Sequence, residues 1–531
     1  MTPATPGTDR TADPRLRLVS RLLLAAALTI ATPAIAQGPA DAPPPAAEAP
    51  AQPQQEPRPT SGILSLLPQG TTTRHSLKAG DVVLDYMVTA GTQSLRDGTG
   101  TVTADIFHVA YRLADGAKDR PVTFVFNGGP GAASAYLHLG ALGPRVIDTS
   151  AAGDFLPPPQ RLIDNPDTWL DLTDLVFVDP PGTGYSRGAD QDQEARFWSV
   201  DRDAEAMAAF IRLYLQSNDR MGAPVYLAGE SYGGFRAARL AKTLQETAGI
   251  APSGAILISP ALEFSLLYGE DYEPLTWALT LPSLAAVRLE KEGVRGGGAL
   301  RERLAEVERY ALSDYLVALA AGAEAAAERA GETVARYTGL PVEEVRRRYA
   351  RVPVSVFIKQ FDKGRLLSRY DGSIAGPDVA PEANNPLGPD PILDRSVPAL
   401  TSAFVAYARD ELGYRTDITY RLLNSDIAGR WDYGGGGSRQ GYAGVLGDLQ
   451  EARALNPALE VLIVHGYTDL VTPYMASEYL VRQLPPLIGA RPIRTRVYEG
   501  GHMMYLRADA RRALKEDVRS VYAAGGSPGE P

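Results

Sequence analysis

The apolar positions follow two regimes along the chain. Residues 81–88 and 103–112 read as strands. After them come short, nearly continuous apolar runs at Pro121-Val-Thr-Phe-Val-Phe126, Leu175-Val-Phe-Val178 and Gly254-Ala-Ile-Leu-Ile-Ser259, with another leading up to Ser231. Runs of this length flanked by Gly and Pro predict strands buried on both faces. Helical spacing over 200–216 and 235–247 lies between the last of them. Strands alternating with amphipathic helices predict a mostly parallel sheet flanked by helices. The strand pattern resumes at Val461-Leu-Ile-Val-His465 and Ile493-Arg-Thr-Arg-Val-Tyr498. Between the two sets, from about 266 to 440, the pattern is different. Residues 300–316, 317–330 and 342–350 are Ala/Arg/Glu-rich helical stretches, 376–392 is rich in Pro, Asn and Gly, and Gly434-Gly-Gly-Gly437 closes the region. The predicted layout is a core over 71–265 and 441–525, interrupted by a mainly helical cap over 266–440, placed where a lid would cover a site.

The N-terminus is read separately. Arg10, Arg15, Arg17 and Arg21 precede the apolar run Leu22-Leu-Leu-Ala-Ala-Ala-Leu-Thr-Ile30 and then Ala34-Ile-Ala36. This pattern predicts a signal peptide over 1–36, cleaved after Ala36. The apolar run is too short to cross a bilayer comfortably. Residues 37–60 are rich in Pro, Ala, Gln and Glu, and a disordered linker is expected over 37–70. The expected product is exported, periplasmic or secreted, with no membrane span after cleavage. The formal charge of −10 argues against nonspecific nucleic-acid binding. The chain has no cysteine, which excludes disulfides, thiol catalysis and thiolate metal sites. No metal-ligand spacing is visible, so no metal or cofactor is expected. Nothing in the sequence fixes the oligomeric state.

The candidate chemistry starts at Gly229-Glu-Ser-Tyr-Gly233, a G-x-S-x-G set between a strand and a helix. A strand that turns sharply into a helix crowds the backbone at Ser231, and glycines on either side relieve the crowding. The turn projects the hydroxyl above the sheet, and the following helix offers free N–H groups to a developing oxyanion. A second match, Gly184-Tyr-Ser-Arg-Gly188, is separated from its apolar run by Asp179-Pro-Pro-Gly-Thr183 and leads into no helix. Ser186 is therefore expected in a loop. A nucleophilic serine needs a base, and the base needs an orienting acid. In the hydrolase arrangement the chain order is serine, acid, histidine, which leaves His465 and His502 among the five histidines. Asp469 follows one strand run, in Gly466-Tyr-Thr-Asp469, and His502 follows the next, in Glu499-Gly-Gly-His-Met503. Asp469 is assigned as acid and His502 as base, with His465 a strand-end residue. Asn127-Gly-Gly-Pro-Gly131 follows an early strand, where that architecture places its oxyanion loop.

Together, Asn127-Gly-Gly-Pro-Gly131, Asp179-Pro-Pro-Gly-Thr-Gly-Tyr-Ser186, Gly229-Glu-Ser-Tyr-Gly233, Gly466-Tyr-Thr-Asp469 and Gly501-His502-Met503 resemble the serine carboxypeptidase family, in the family's order and over roughly residues 120–505. With the leader, the resemblance is to an exported bacterial member. It implies an α/β-hydrolase fold and the removal of C-terminal residues from peptides that carry a free C-terminus. Ser231, Asp469 and His502 match the family's triad, and Gly129 and Tyr232 its oxyanion donors. Asn127 and Glu230 match the residues that bind the substrate's terminal carboxylate, with Gly128 lending backbone. The chain departs from the family at three positions. Val125 stands where Trp is common, Ala132 where a half-cystine is common, and Ala141 where many members carry a Glu bonded to the counterpart of Glu230. The competing readings are an esterase or acyltransferase of the same fold and, from another class, a non-catalytic binding protein. Trp431 is expected to pack rather than to meet substrate.

Overall fold

The computed structural model describes residues 62–80, 82–267, 272–434 and 443–525. The leader expected over 1–36, and the linker as far as residue 61, lie outside the described residues. The linker expectation does not hold over 62–70. Ile63–Leu66 forms a single 3-10 turn, and Leu64 and Leu67 are buried in the core. The apolar Ile-Leu-Ser-Leu-Leu run at 63–67 gains enough burial to order itself.

Nine strands form the main path of one sheet: β1 Thr71–Ala79, β2 Val82–Arg96, β3 Val102–Leu113, β4 Val122–Phe126, β5 Asp174–Val178, β6 Val225–Glu230, β7 Gly254–Ile258, β8 Glu460–Gly466 and β9 Arg494–Tyr498. Their spatial order is β1-β2-β3-β5-β4-β6-β7-β8-β9, and the two-residue strand Arg187–Gly188 pairs with β3 off this path. β1, β2 and β3 pair antiparallel, as does β3 with β5. From β5 to β9 every pairing is parallel. This is the α/β-hydrolase arrangement expected from the sequence.

The parallel strands are buried on both faces, as their unbroken apolar runs require. Val125 points into one core layer, while Phe124 and Phe126 point into the other. The second layer holds Met207, Phe210 and Ile211 of α1 (Val200–Ser217) and Phe235 of α2 (Tyr232–Thr243). Ser199 caps α1, its side chain accepting from the Arg202 N–H. Chain order reverses across β4. From β4 the chain goes to β5 on one side and then to β6 on the other. Loops after strands on either side of such a reversal diverge and leave a crevice at the C-terminal ends of the strands. Asn127 follows β4 and Ser231 follows β6, so both sit at that crevice.

The insertion is not a separate lid. Helices α3 (Pro274–Lys291), α4 (Gly297–Tyr310) and α5 (Ala323–Thr338) share one hydrophobic cluster with Tyr467, Leu470, Tyr474 and Met475, which flank Asp469. Later in the insertion, α6 (Leu393–Asp410) buries Leu400, Phe404 and Tyr407 against the sheet. The Phe404 ring stands edge-on to Phe107 of β3, and the Tyr407 hydroxyl lies 2.9 Å from that of Tyr111. The apolar face of α6, within the span expected as cap, thus completes the sheet's own core. The expected helix boundaries shift. α4 ends at Tyr310 and passes through a π-helical turn, and Gly322, at φ 113°, breaks the helix expected over 317–330 before α5 begins. The insertion leaves and rejoins the core at one place. Phe264 N–H donates to Ala443 O at 3.0 Å, and Val445 N–H to Leu262 O at 3.0 Å.

Candidate active site

Ser231 terminates β6 and directly precedes α2, with φ 59° and ψ −122°. A non-glycine residue held there is strained and needs a surrounding structure that over-determines it. Four backbone bonds do so: Ser231 N–H donates to Ile258 O, and Ser231 O accepts from Gly234, Phe235 and Ala261. Ser186, the other serine of the same pattern, is fully buried. Its Oγ donates to Asp179 O at 2.5 Å and accepts from Phe107 N–H at 2.7 Å.

His502 and Asp469 come from the loops after β9 and β8. His502 Nδ1 donates to Asp469 Oδ2 at 2.8 Å, and both side chains are buried. Asp469 Oδ1 accepts the N–H groups of Val471 and Thr472 at 2.8 and 2.9 Å, and Thr472 Oγ1 lies 2.7 Å from Oδ2. Burial alone would raise the Asp469 carboxyl. The charge of His502 and these hydrogen bonds outweigh burial and hold it below the ordinary range. Burial likewise would lower the His502 imidazole, but the charge and hydrogen bond of Asp469, with the charge of Glu230, raise it. The ring nitrogen left free is Nε2, and His502 and Ser231 line the same cleft. The Ser231 hydroxyl makes no hydrogen bond among the described residues. In an unliganded site this bond is often long, tightening when substrate arrives. His465 sits on β8, buried, with Nε2 2.8 Å from Ser477 Oγ and its pKa lowered by burial to about 4.

The cleft contains about 690 Å³ of free space, including its open mouth. Asn127, Gly128, Gly129, Glu230, Ser231, Tyr232 and His502 line it, with Tyr136, Phe264, Tyr370, Leu393, Leu423 and Met503 as its larger walls. The cleft thus gathers the sequence's candidate site residues Asn127, Gly128, Gly129, Glu230, Ser231, Tyr232 and His502, while Asp469 stands behind His502. Gly128 packs directly on the turn. A side chain there would come within 2.5 Å of Tyr232 N and 2.9 Å of Ser231 Cβ. This contact brings the Gly129 and Tyr232 backbones together, and neither N–H has a backbone acceptor among the described residues.

Glu230 is buried beside Ser231. Tyr505 OH donates to Glu230 Oε1 at 2.8 Å, and Asn127 Nδ2 donates to Oε2. Leu137 N–H fixes the other end of the Asn127 amide at 3.0 Å. Burial pushes the Glu230 carboxyl up to about 7, against the lowering effects of the His502 charge and the Tyr505 and Asn127 bonds. Sequence reasoning missed Tyr505. Ala141 appeared to leave Glu230 without a partner, yet the Tyr505 ring lies against Gly140, next to Ala141, and supplies one. Sequence reasoning also missed Arg236. Its guanidinium pairs with Asp203 at 2.6 Å, donates to Asn127 O at 2.7 Å and stacks on the Tyr232 ring, tying α2 to the loop after β4. Trp431 stands edge-on to Tyr232, 5.2 Å between ring centres, and is absent from the cleft walls. No group of three or more metal-ligating side chains occurs among the described residues, and no described helix is long and apolar enough to cross a membrane.

Comparison with known proteins gives the same picture. Residues 96–251 match the family described as Serine carboxypeptidase. The pheromone-processing carboxypeptidase KEX1 of Yarrowia lipolytica is 32% identical over 143 residues, which cover 26% of this chain and 21% of that protein. Serine carboxypeptidase-like 51 of Arabidopsis thaliana is 26% identical over 197 residues, covering 36% of this chain and 39% of its own. The matched segments thus span well under half the length of these fungal and plant relatives. Among solved structures, Kex1Δp, a prohormone-processing carboxypeptidase from Saccharomyces cerevisiae, superposes with a TM-score of 0.50 at 15% identity, over 86% of this chain and 92% of that one. That likeness establishes the α/β-hydrolase fold.

Proposed function

We propose that the protein is a serine-type carboxypeptidase, a hydrolase that releases C-terminal residues from peptides through an acyl-enzyme. Ser231 Oγ attacks the carbonyl of the last peptide bond while His502 Nε2 takes its proton. Asp469 holds His502 in the tautomer that leaves Nε2 free and stabilises the imidazolium that forms. The N–H groups of Gly129 and Tyr232 donate to the carbonyl oxygen and stabilise the negative charge that develops on it. His502 then protonates the leaving amine, and a water attacking through the same histidine frees Ser231.

The observation that carries this reading is the Glu230–Asn127 pair beside the nucleophile. A carboxyl raised to about 7 is largely protonated in mild acid, and a protonated carboxyl donates to a substrate carboxylate that an ionised one would repel. Asn127, Gly128 and Glu230 are therefore read as the site of the substrate's terminal carboxylate. The rest of the cleft carries no residue that ionises near neutral pH other than His502, its polar groups being the Ser231, Thr472 and tyrosine hydroxyls, which suits an uncharged side chain next to the scissile bond. The leader-like pattern of residues 1–36 supports export, to the periplasm or beyond. A panel of an N-blocked dipeptide acid, its C-terminal amide and a short-chain ester tests the proposal. Preference for the acid in mild acid is the expected result. Equal turnover of acid and amide at every pH would instead favour an esterase or acyltransferase, and inertness toward all three a binding protein.

A further inference from the structure

Asp469 and His502 belong to different strands, and their 2.8 Å contact survives only if the two loops keep a fixed spacing. The loops touch each other directly, Thr468 N–H donating to Gly500 O at 2.9 Å. A third segment, 369–372, is wedged between them, and it comes from the insertion. Its backbone bonds to both. Leu470 N–H donates to Arg369 O at 3.1 Å, Gly372 N–H to Thr468 O at 3.0 Å, and His502 N–H to Tyr370 O at 2.5 Å. The Asp371 side chain joins the two loops through its two oxygens. Oδ1 accepts from Thr468 Oγ1 at 2.7 Å, next to the acid, and Oδ2 accepts from Gly501 N–H at 3.1 Å, next to the base. The approach leaves no room for a side chain at Gly501, where a Cβ would fall 2.0 Å from Tyr370 O. Asp371 is buried. Its remaining partners are Ser373 N–H and Oγ, at 3.0 and 2.6 Å, and Arg507 Nη2, at 3.4 Å. Arg507 in turn bonds Glu290 Oε2 of α3 at 3.2 Å.

We propose that Asp371 is a positioning residue for the reaction. Its carboxylate spans the acid and base loops and sets the distance at which Asp469 meets His502, so the insertion completes the machinery rather than merely covering it. The inference rests on the acyl-enzyme reading above. A carboxylate suits the task because both of its oxygens accept, and every group facing it donates: the N–H groups of Gly501 and Ser373, the hydroxyls of Thr468 and Ser373, and the Arg507 guanidinium. Alanine would leave the buried Gly501 N–H unpartnered and free the two loops to separate.

The test uses the full chain carrying Asp371→Ala, Asp371→Asn or Ser231→Ala. Folding is checked by thermal melting, and kcat and KM for a peptide acid are measured across pH, together with the rate of labelling by a fluorophosphonate. Asp371→Ala should lower kcat and the labelling rate about 100-fold, the scale of a small misplacement of reacting groups, while KM stays within about threefold. The limb of the pH profile that reports His502 should move to lower pH as the imidazole loses part of its hold on Asp469. Asp371→Asn keeps the shape and one acceptor and should recover about tenfold of the loss. A folded Asp371→Ala protein with kcat within about threefold of wild type and an unmoved limb overturns the proposal. If alanine prevents folding, Asp371→Asn alone decides by the same two readouts. Ser231→Ala separates the two levels. If it still turns over substrate, the acyl-enzyme reading falls and this inference with it. If it is dead while Asp371→Ala works normally, only the positioning role falls.

Discussion

Ser231 and Ser186 sit in the same five-residue pattern and have opposite surroundings. Ser186 is sealed in the core, its hydroxyl donating to Asp179 O and accepting from Phe107 N–H. Ser231 rides a strained turn, its hydroxyl without a hydrogen-bond partner among the described residues and open to a cleft that also holds His502. A hydroxyl whose hydrogen-bonding capacity is used up is structural, whereas one left unsatisfied at an enforced geometry is available for chemistry. The two histidines that follow in sequence repeat the lesson. His465 is buried against Ser477, while His502 presents its free nitrogen to the cleft.

The sharpest way to break the comparison is to remove each serine in turn. Ser231→Ala should abolish turnover and labelling by a fluorophosphonate, a loss on the order of 10⁶ in kcat. Ser186→Ala should keep kcat within a few-fold but lose about 1–3 kcal/mol of stability, because the buried Phe107 N–H loses its acceptor. Mass-spectrometric mapping of the adduct to Ser186 would reverse the assignment. The histidine pair comes next. His502→Ala should cost several orders of magnitude in kcat, and His465→Ala mainly stability. Equal kinetic losses in two folded variants would leave the base unassigned.

Smaller effects sharpen the contrast at Glu230. With a pKa near 7, kcat/KM for a peptide acid should fall as pH rises through about 7, and less so for the matching amide. His502 must be neutral to act as base, which pushes the opposite way for both substrates, so the acid-to-amide ratio isolates Glu230. Glu230→Gln should flatten that ratio, since an amide donates at every pH. Tyr505→Phe removes a donor to the ionised form and should move the fall to higher pH. An unchanged ratio in both variants would detach this pair from substrate recognition. The smallest effect is on stability. Between its unfolded value and about 7, Glu230 holds a proton in the native state that the unfolded chain has released, so its stabilising contribution is lost as pH rises through about 7. The Tm advantage of Glu230→Gln over wild type should therefore be about 3 °C larger at pH 8 than at pH 5.

What the sequence made legible was local. The strand runs at 121–126 and 175–178, the helix expected over 200–216 and found at Val200–Ser217, and the glycine-flanked turns each announce themselves within a few residues. Asp469 and His502 were legible because each follows an apolar run by a short, fixed spacing. Tyr505, Arg236 and Asp371 were not. Each is an ordinary residue type, and its role comes from a partner more than 95 positions away, as with Tyr505 and Glu230 at 275, Arg236 and Asn127 at 109, and Asp371 and Thr468 at 97. The stretches that hold α4 and α5 were legible as helical, but α3 was not, and nothing along the chain revealed that the three pack beside the acid loop.

The doorway formed by Leu262–Phe264 and Ala443–Val445 shows where the chain could be cut. Its two sides already touch, so deleting everything between them would require only a tight turn to reseal the chain. Chain connectivity alone would allow that excision, although α6 within the stretch completes the core of the sheet. On the positioning role proposed for Asp371, the same deletion would take with it the strap at 369–372 that bonds both loops. A chain shortened at this doorway would keep the direct bond from Thr468 N–H to Gly500 O but would need a new brace in place of the strap.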